Sequence, residues 1–426
     1  MTLPRFFQFE NYEVKDVKEF LSKGLIEVHL SRDKAKPSIC HRCNKLLTCT
    51  ARGSHSMTVE AMPIMGYRTF LVFRRYKYHC EFCKKARAED IPFISVETPH
   101  LTRELAWWIG RLCETASVTR VGELVGHDGM TTWRLDYNRM VQMLKHYRLP
   151  NLKRLSVDEV YARRKKRFTA ESRDKLFFTV ITDLETRKVI WVSDGRSKES
   201  LDNFFMLLGE EACKEIEVVA MDQHNGYFAS VQQNCPNATI VWDKFHILQS
   251  FEGVVNETRM EIHQEIPNGH KLKLLTKGRN KYIFLKRDSS RTSSEKRLIE
   301  EVVKENETFF RLELIKERML TMFNEADESK ALFIWSEIGG WIKRSRFKIL
   351  GEWYDQLNRN WKTVANYFKY RVTTSVSEGI NNVIKTLKRR AYGYRNMRYF
   401  KLKILQVCGY LNSRYIKTTD QLLTQI

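Results

Sequence analysis

Long apolar runs are missing from this chain. The longest are short and end in charge, as Leu71-Val72-Phe73 does at Arg74-Arg75. Nothing approaches the roughly 20 apolar residues that a membrane span needs. Residues Met1 to Asn11 lack the basic-then-apolar order of a secretory leader, so the expectation is a soluble intracellular protein. An internal repeat is missing too, as is any extended Gly/Ser- or Pro-rich linker, and domain boundaries must be read from changes in pattern. Acidic residues fall short of basic ones: 51 Asp and Glu against 73 Lys and Arg leave +22 over 426 residues. That excess points to polyanionic partners, nucleic acid first and acidic lipid a distant second. Disorder is excluded by a hydrophobic share of 42% with 12% aromatics, and the length suggests about two to four domains.

A disulfide framework is not what the cysteines favour either. The nine cysteines are odd in number, and four of them form the pairs Cys40-His41-Arg42-Cys43 and Cys80-Glu81-Phe82-Cys83. Two thiolates separated by two residues converge on one ion, and two such knuckles complete a tetrahedral zinc site. Cys49, His41, His55 and His79 lie close enough in sequence to replace one ligand, so the metal is better fixed than the exact four. With four protein ligands such a site is structural. Arg74, Arg75, Lys77, Lys84, Lys85 and Arg87 surround it, which suits a face turned to DNA.

The texture changes along the chain. Residues 31–95 hold both knuckles and β-prone runs, and read as a zinc module. Residues 96–150 turn helical, with Trp107, Ile109, Leu112 and Cys113 spaced for one buried face. Within them Val118 to Gly126, a turn at His127-Asp128-Gly129, and Met130 to Val141 have the shape of a helix-turn-helix. Thr131, Thr132, Trp133 and Arg134 would then enter the major groove and Arg139 would reach a phosphate. An ordinary three-helix packing unit has the same pattern.

Residues 151–249 alternate short β runs with helical stretches. The runs are Leu155–Val157, Phe177–Ile181, Val189–Val192, Val218–Met221 and Thr239–Trp242, with one amphipathic helix expected from Ser200 to Ile216. Three strands, a helix and further strands suggest a mixed sheet covered by helices. Strand signals fade over residues 250–366, where Leu298, Val302, Phe309, Leu312 and Ile315 mark an apolar helical stripe and Trp335, Trp341, Trp353 and Trp361 are expected to pack helices together. Residues 367–412 return to the core with a helix from Ser377 to Arg390, and the last residues look like a tail.

Phosphodiester chemistry needs two divalent ions roughly 3.5–4 Å apart, held by carboxylates on rigid mounts. Asp158 closes the first strand of the α/β region and Asp222 follows the fourth. Side chains alternate along a strand, so Asp158 and Glu159 face opposite ways and only one of them can serve. Glu378 is the third candidate. Ile380, Val383, Ile384 and Leu387 share one helical face, while Glu378, Asn382, Lys385 and Arg389 share the other, an acid in line with bases suited to phosphates. Ser375-Val376-Ser377-Glu378 is also a capping-box pattern, in which the Glu merely closes the helix start.

Taken together, the order of zinc ribbon, helix-turn-helix and interrupted α/β core resembles the bacterial insertion-sequence transposases of the ISL-three family. The residues that carry the resemblance are Val157-Asp158-Glu159, Met221-Asp222, Trp242-Asp243-Lys244-Phe245-His246, Glu378-Gly379-Ile380-Asn381-Asn382 and Lys388-Arg389-Arg390-Ala391-Tyr392-Gly393-Tyr394-Arg395-Asn396. The resemblance implies a multidomain α/β chain with an RNase H-like mixed sheet interrupted by an all-helical insertion. It implies a DDE triad on Asp158, Asp222 and Glu378, two magnesium ions per active site, and Asp243 with His246 in support. DNA would be the partner, as the terminal repeats of the element and as target, contacted also by Lys385, Lys388, Arg389 and Arg390. Joining two ends implies a homo-oligomer, at least a dimer on DNA, in the bacterial cytoplasm at the nucleoid. Two features depart from the family pattern: the run Arg163-Arg164-Lys165-Lys166-Arg167 after the first strand, and Ser375 to Ser377 before Glu378. The rival expectation is a DNA-binding regulator that has lost catalysis.

Overall fold

The computed structural model describes residues 9–33, 35–47, 51–162, 176–270, 272–273, 278–372 and 374–415. The basic run Arg163–Arg167 and Cys49 lie outside them. Two compact units divide at Arg148 and at Lys388: one holds the described residues up to Arg148 with those from Arg389 onward, the other Leu149–Lys388.

The first unit begins with a sheet that starts well before residue 31. Tyr12–Phe20 (β1) and Leu25–Arg32 (β2) form a hairpin, and β2 runs parallel to Tyr67–Cys80 (β6), which pairs in turn with Gly53–Ile64 (β5). The expected module therefore lacked two strands. The short hairpin Ser38–Ile39 (β3) and Leu46–Leu47 (β4) carries the first cysteine knuckle, and Lys85–Ala88 (β7) folds back on β6 beyond the second. Val28, Val59, Leu71, Phe73, Ile91 and Phe93 are buried in one core. The carboxylate of Glu89, itself buried, accepts from Arg32 Nε at 3.0 Å, the Tyr12 hydroxyl at 3.1 Å, the Ser38 hydroxyl at 3.0 Å and the Tyr76 N–H at 3.0 Å. A buried charge is tolerated only when so fully bonded, and here it ties three strands to the zinc hairpin.

Three helices follow: Arg103–Leu112 (α1), Val118–Val125 (α2) and Gly129–Lys145 (α3). The expected pair and its turn are present, with Asp128 capping α3 through the N–H groups of Met130 and Thr131, both at 2.9 Å. The two helices cross closely at Gly122, where a Cβ would stand 2.7 Å from the His127 carbonyl oxygen.

In the second unit, Arg154–Tyr161 (β8), Phe177–Asp183 (β9), Lys188–Asp194 (β10), Val218–Met221 (β11) and Thr239–Trp242 (β12) form one sheet in the order β10-β9-β8-β11-β12. The first three strands are antiparallel and the last two join in parallel, which is the RNase H-like arrangement. Lys198–Leu208 (α4) and Glu210–Lys214 (α5) replace the single helix expected there, because Gly209 at φ 88° breaks it. Asn225–Asn234 (α6) precedes β12 and Lys244–Glu265 (α7) follows it.

Beyond α7 the described residues are helical, in Lys281–Leu285 (α8), Ser293–Glu305 (α9), Glu307–Met322 (α10), Glu328–Ser345 (α11), Lys348–Arg359 (α12) and Trp361–Tyr370 (α13). Trp335 stacks on Tyr354 at 4.3 Å and on Trp361 at 5.1 Å, and meets Trp353 edge-on at 6.2 Å. Three of the four expected tryptophans thus share one core, while Trp341 stands half-buried outside that set. The chain returns to the sheet as Ser375–Arg390 (α14). The last described helix is Met397–Cys408 (α15). It packs in the first unit, where buried Asp136 accepts from the Tyr399 hydroxyl at 2.6 Å and from Lys403 Nζ at 3.2 Å. Among the described residues no helix is long and apolar enough to cross a membrane.

Candidate active site and metal centre

Asp158 and Asp222 are brought together by strand register. β11 pairs with β8 as Val218↔Arg154, Val219↔Leu155 and Ala220↔Ser156, so the same register continued to the strand ends sets Asp222 level with Asp158. Apolar β-branched residues on both strands bury this part of the sheet, and Asp158 with it. Burial pushes its carboxyl up to about 6. The Glu159 N–H, donating at 2.7 Å, and the nearby His246 oppose the shift, while the negative charges of Asp222 and Glu159 add to it. Glu159 points elsewhere, as alternation requires, and binds Arg196 at 3.1 Å. Its carboxyl is also raised, first by burial.

The third candidate arrives on α14, which two side chains fasten to β8. Ser377 donates to the Ser156 hydroxyl at 2.8 Å, and Asn381, one turn on, donates from Nδ2 to Asp158 Oδ2 at 2.8 Å. Glu378 follows the first of these anchors on the first turn of the helix and is exposed. Ser375 is the first residue inside the helix, and the Glu378 N–H bonds to the Thr374 carbonyl at 2.8 Å, so the capping box expected from Ser375 is shifted out of register. The buried face is Ser377, Ile380, Asn381 and Ile384. Val383, expected on it, is 43% exposed. The start of α14 is held by Asp243, whose carboxylate accepts from the Thr374 N–H at 3.1 Å and from its hydroxyl at 2.5 Å.

Two acceptor oxygens here are buried without a hydrogen-bond donor: Asp222 Oδ1 and Asn381 Oδ1. Each such atom costs about 1–3 kcal/mol, and a hard cation relieves that cost, so the donor set fits magnesium. Asp158, Asp222 and Glu378 are not gathered to single-ion distance. Among the described residues only Cys40, Cys43, Cys80 and Cys83 bring three or more His, Cys, Asp or Glu ligand atoms within 4.8 Å of one another.

Those four sulfurs are the expected zinc ligands, and the site is built symmetrically. Each knuckle is followed by a residue in the left-handed region, Asn44 at φ 55° and Lys84 at φ 52°. Asn is at ease there and Lys is not, so the second turn is retained against local preference. The Cys83 N–H points at the Cys80 sulfur at 3.4 Å and holds that thiol down to about 7, toward the thiolate that zinc requires. His41 Nδ1 lies 2.9 Å from the Ala88 carbonyl oxygen and His55 is exposed.

The helix pair divides the expected DNA contacts. Arg134 is exposed on α3, Thr131 bonds to Asp128, and Trp133 is half-buried and stacked on Tyr137 at 5.3 Å. Thr132 and Arg139 are corrected. Both are buried, Thr132 against the α2–α3 crossing and Arg139 under Trp107, where it binds Glu114 at 2.6 Å. On α14, Lys385, Arg389 and Arg390 are exposed, whereas Lys388 reaches the Tyr161 carbonyl at 3.1 Å and lies over its ring.

Comparison with known proteins agrees with this geometry. A family model of the ISL3 DDE type, described as "Transposase", matches residues 155–404. The chain belongs to that transposase family. A second model, the zinc-finger of transposase IS204/IS1001/IS1096/IS1165, matches residues 36–83. The transposase for insertion sequence element IS1001 of Bordetella parapertussis is 27% identical over 389 residues, spanning 87% of this chain and 88% of that protein. The transposase for insertion sequence element IS1557 of Mycobacterium tuberculosis is 22% identical over 273 residues, 58% of each chain.

Sequence reasoning missed several residues of this transposase's carboxylate site. Ser377 was read only as part of the cap pattern, and Asn381 only as part of the run Glu378–Asn382 that carries the family resemblance. Tyr227 also went unnoticed: its buried hydroxyl lies 2.8 Å from that of Thr179. Burial raises its pKa, and the three nearby carboxylates add to the shift. Spacing at i, i+4 puts Ser377 and Asn381 on one helix face, but nothing local shows that this face meets Asp158.

Proposed function

We propose that this chain catalyses the transposition of an insertion sequence as a DDE enzyme. The observation that carries the proposal is the parallel β8–β11 register, which sets buried Asp158 beside Asp222 under the helix bearing Glu378. Asp158, Asp222 and Glu378 would hold magnesium, two ions per site, and Asp243 and His246 support them from behind. The bound metal supplies activation of the attacking oxygen and stabilisation of the leaving one. Water attacks the phosphodiester at the element end and frees a 3′-hydroxyl, which then attacks target DNA by a second in-line displacement. Arg134, with Thr131 and Trp133 beside it, reads the terminal repeat, and Lys385, Arg389 and Arg390 meet phosphates. Cys40, Cys43, Cys80 and Cys83 hold a structural zinc ion. Two ends are joined in one event, so the working form on DNA is at least a dimer.

The test is strand cleavage and joining on DNA that carries the element's ends, with and without magnesium. Wild type should cleave and join only with the metal. Asp158→Asn, Asp222→Asn and Glu378→Gln should bind the ends and do neither. Gln keeps the size and hydrogen bonding of Glu but is a poor magnesium ligand, so near-normal cleavage by Glu378→Gln would place the third ligand elsewhere. End binding without cleavage by the wild type would instead favour a regulator.

A further inference from the structure

Asn381 is more than a packing residue of α14. It is 7% exposed, and its two polar atoms are used unequally. Nδ2 donates to Asp158 Oδ2 at 2.8 Å and lies 3.4 Å from the Glu159 carbonyl oxygen, while Oδ1 is buried with no donor. The amide cannot turn over to relieve this, because Oδ1 would then face a carboxylate oxygen, acceptor against acceptor. Simple stapling of α14 to β8 explains Nδ2 and leaves Oδ1 without a purpose. Ser377 already supplies a neutral staple one turn earlier, through Ser156. A leucine of similar shape would pack the same space with no orphaned acceptor.

We propose that Asn381 is a further residue of the cation site: Nδ2 fixes the orientation of the Asp158 carboxylate, and Oδ1 gives an additional neutral oxygen to the ion that Asp158 holds. The inference rests on the assignment of Asp158 as a metal ligand. It explains why a helix whose candidate acid is exposed is seated directly on Asp158. A carboxamide suits the position because its donor and its acceptor are separate atoms, so it donates to a carboxylate through Nδ2 while Oδ1 stays free for a cation.

The experiment measures manganese binding to the zinc-loaded full chain without DNA, by the loss of the free-ion paramagnetic resonance signal and by calorimetry. Asn381→Ala should weaken binding about tenfold, the scale on which neighbouring-group changes alter metal affinity. Asn381→Leu serves in its place should the alanine variant fail to fold. Asn381→Asp keeps an oxygen and loses the donor, and should recover affinity at least to the wild-type level. A purely structural Asn381 would lower the melting temperature in Asn381→Ala and leave manganese affinity unchanged, and that result would overturn the inference. Recovery no better in Asn381→Asp than in Asn381→Ala would overturn the ligand role of Oδ1. Asp158→Asn separates the two levels: unchanged manganese binding there would bring down the site assignment and this inference together, whereas loss in Asp158→Asn beside no change in Asn381→Ala removes the inference alone.

Discussion

Asp243 gives its side chain to Thr374, a residue 131 positions away, and not to the helix it begins itself. By its backbone it is the N-cap of α7, yet its carboxylate makes no bond there. Both of its oxygens receive the first residue before α14, and its own N–H extends the sheet to Met221 at 2.8 Å. One buried side chain thus fixes the start of the Glu378 helix relative to the strand that ends in Asp222.

Replacing Asp243 by alanine should remove both bonds and loosen α14 at its first turn. The expected cost is about 1–3 kcal/mol of stability from the stranded Thr374 N–H, read by thermal melting. Strand cleavage at saturating DNA should fall further than the melting change accounts for, while end binding stays near normal. Asp243→Asn retains one acceptor and should rescue part of the rate. Equal loss of binding and cleavage would argue that Asp243 serves the whole fold rather than this helix.

The Asp158 carboxyl costs stability in the ligand-free protein. Its pKa is raised from 3.8 to about 6 by burial, so between those values the folded chain holds the proton more tightly than the unfolded one. Stability from this group is therefore present below 3.8 and lost as pH rises through about 6. Asp158→Asn removes the charge and should be more stable than wild type at pH 7, by up to about 3 kcal/mol. The gain should shrink as pH falls toward 4. Magnesium should raise the melting temperature of the wild type and leave that of Asp158→Asn unmoved. A variant less stable than wild type at every pH would show that the Asn381 bond outweighs the buried charge.

The knuckles make a separate prediction. Freshly purified protein should contain about one zinc ion per chain, and Cys80→Ser should lose it, because thiolate ligation and local folding are one equilibrium. The β3–β4 hairpin should then protect its amides poorly in hydrogen exchange, while the β8–β12 sheet exchanges as before. Full zinc content in Cys80→Ser would mean that a histidine takes over as ligand.

How much of this was legible beforehand depended on where each residue finds its partner. The strands from Val218 to Met221 and from Thr239 to Trp242 are buried along most of their length, and continuous β-branched runs announce such strands. β1 reads Tyr-Glu-Val-Lys-Asp-Val-Lys-Glu-Phe and is mostly solvent-exposed. Its charge hides it, because only Tyr12 and Val14 reach the core and the rest of the strand answers to β2. The Asn381–Asp158 bond spans 223 residues, and no local period encodes such a pairing. Asp158 and Asp222 were found because strand ends are chemically suggestive, but Asn381 has no comparable signature. Arg139 was different, since the signal existed. Thr132, Leu135, Asp136, Arg139, Met140 and Met143 fall at helical spacing on one buried face, and Arg139 belongs to that stripe despite its charge.

The two arginines of α3 should therefore behave as opposites. Arg134 is exposed near the start of the helix, and Arg134→Ala should leave the melting temperature unchanged. It should cost about 1–3 kcal/mol on the element end and little on random DNA, as loss of a base contact does. Arg139 is buried between Glu114 and the ring of Trp107, 4.4 Å from its centroid. Arg139→Ala strands the Glu114 carboxylate, although Ser413 still donates to it through its N–H and hydroxyl. Removing one partner of a buried pair costs about 3–5 kcal/mol, with the Ser413 bonds holding the value toward the lower end. The loss should appear in thermal melting, and DNA binding measured well below the transition should fall alike for both DNAs or not at all. If Arg139→Ala melts normally and binds the element end poorly, the arginine leaves its pocket to meet DNA and the buried pairing does not govern its role. If Arg134→Ala weakens binding to both DNAs equally, Arg134 touches the backbone and the reading of bases falls to other residues of α3.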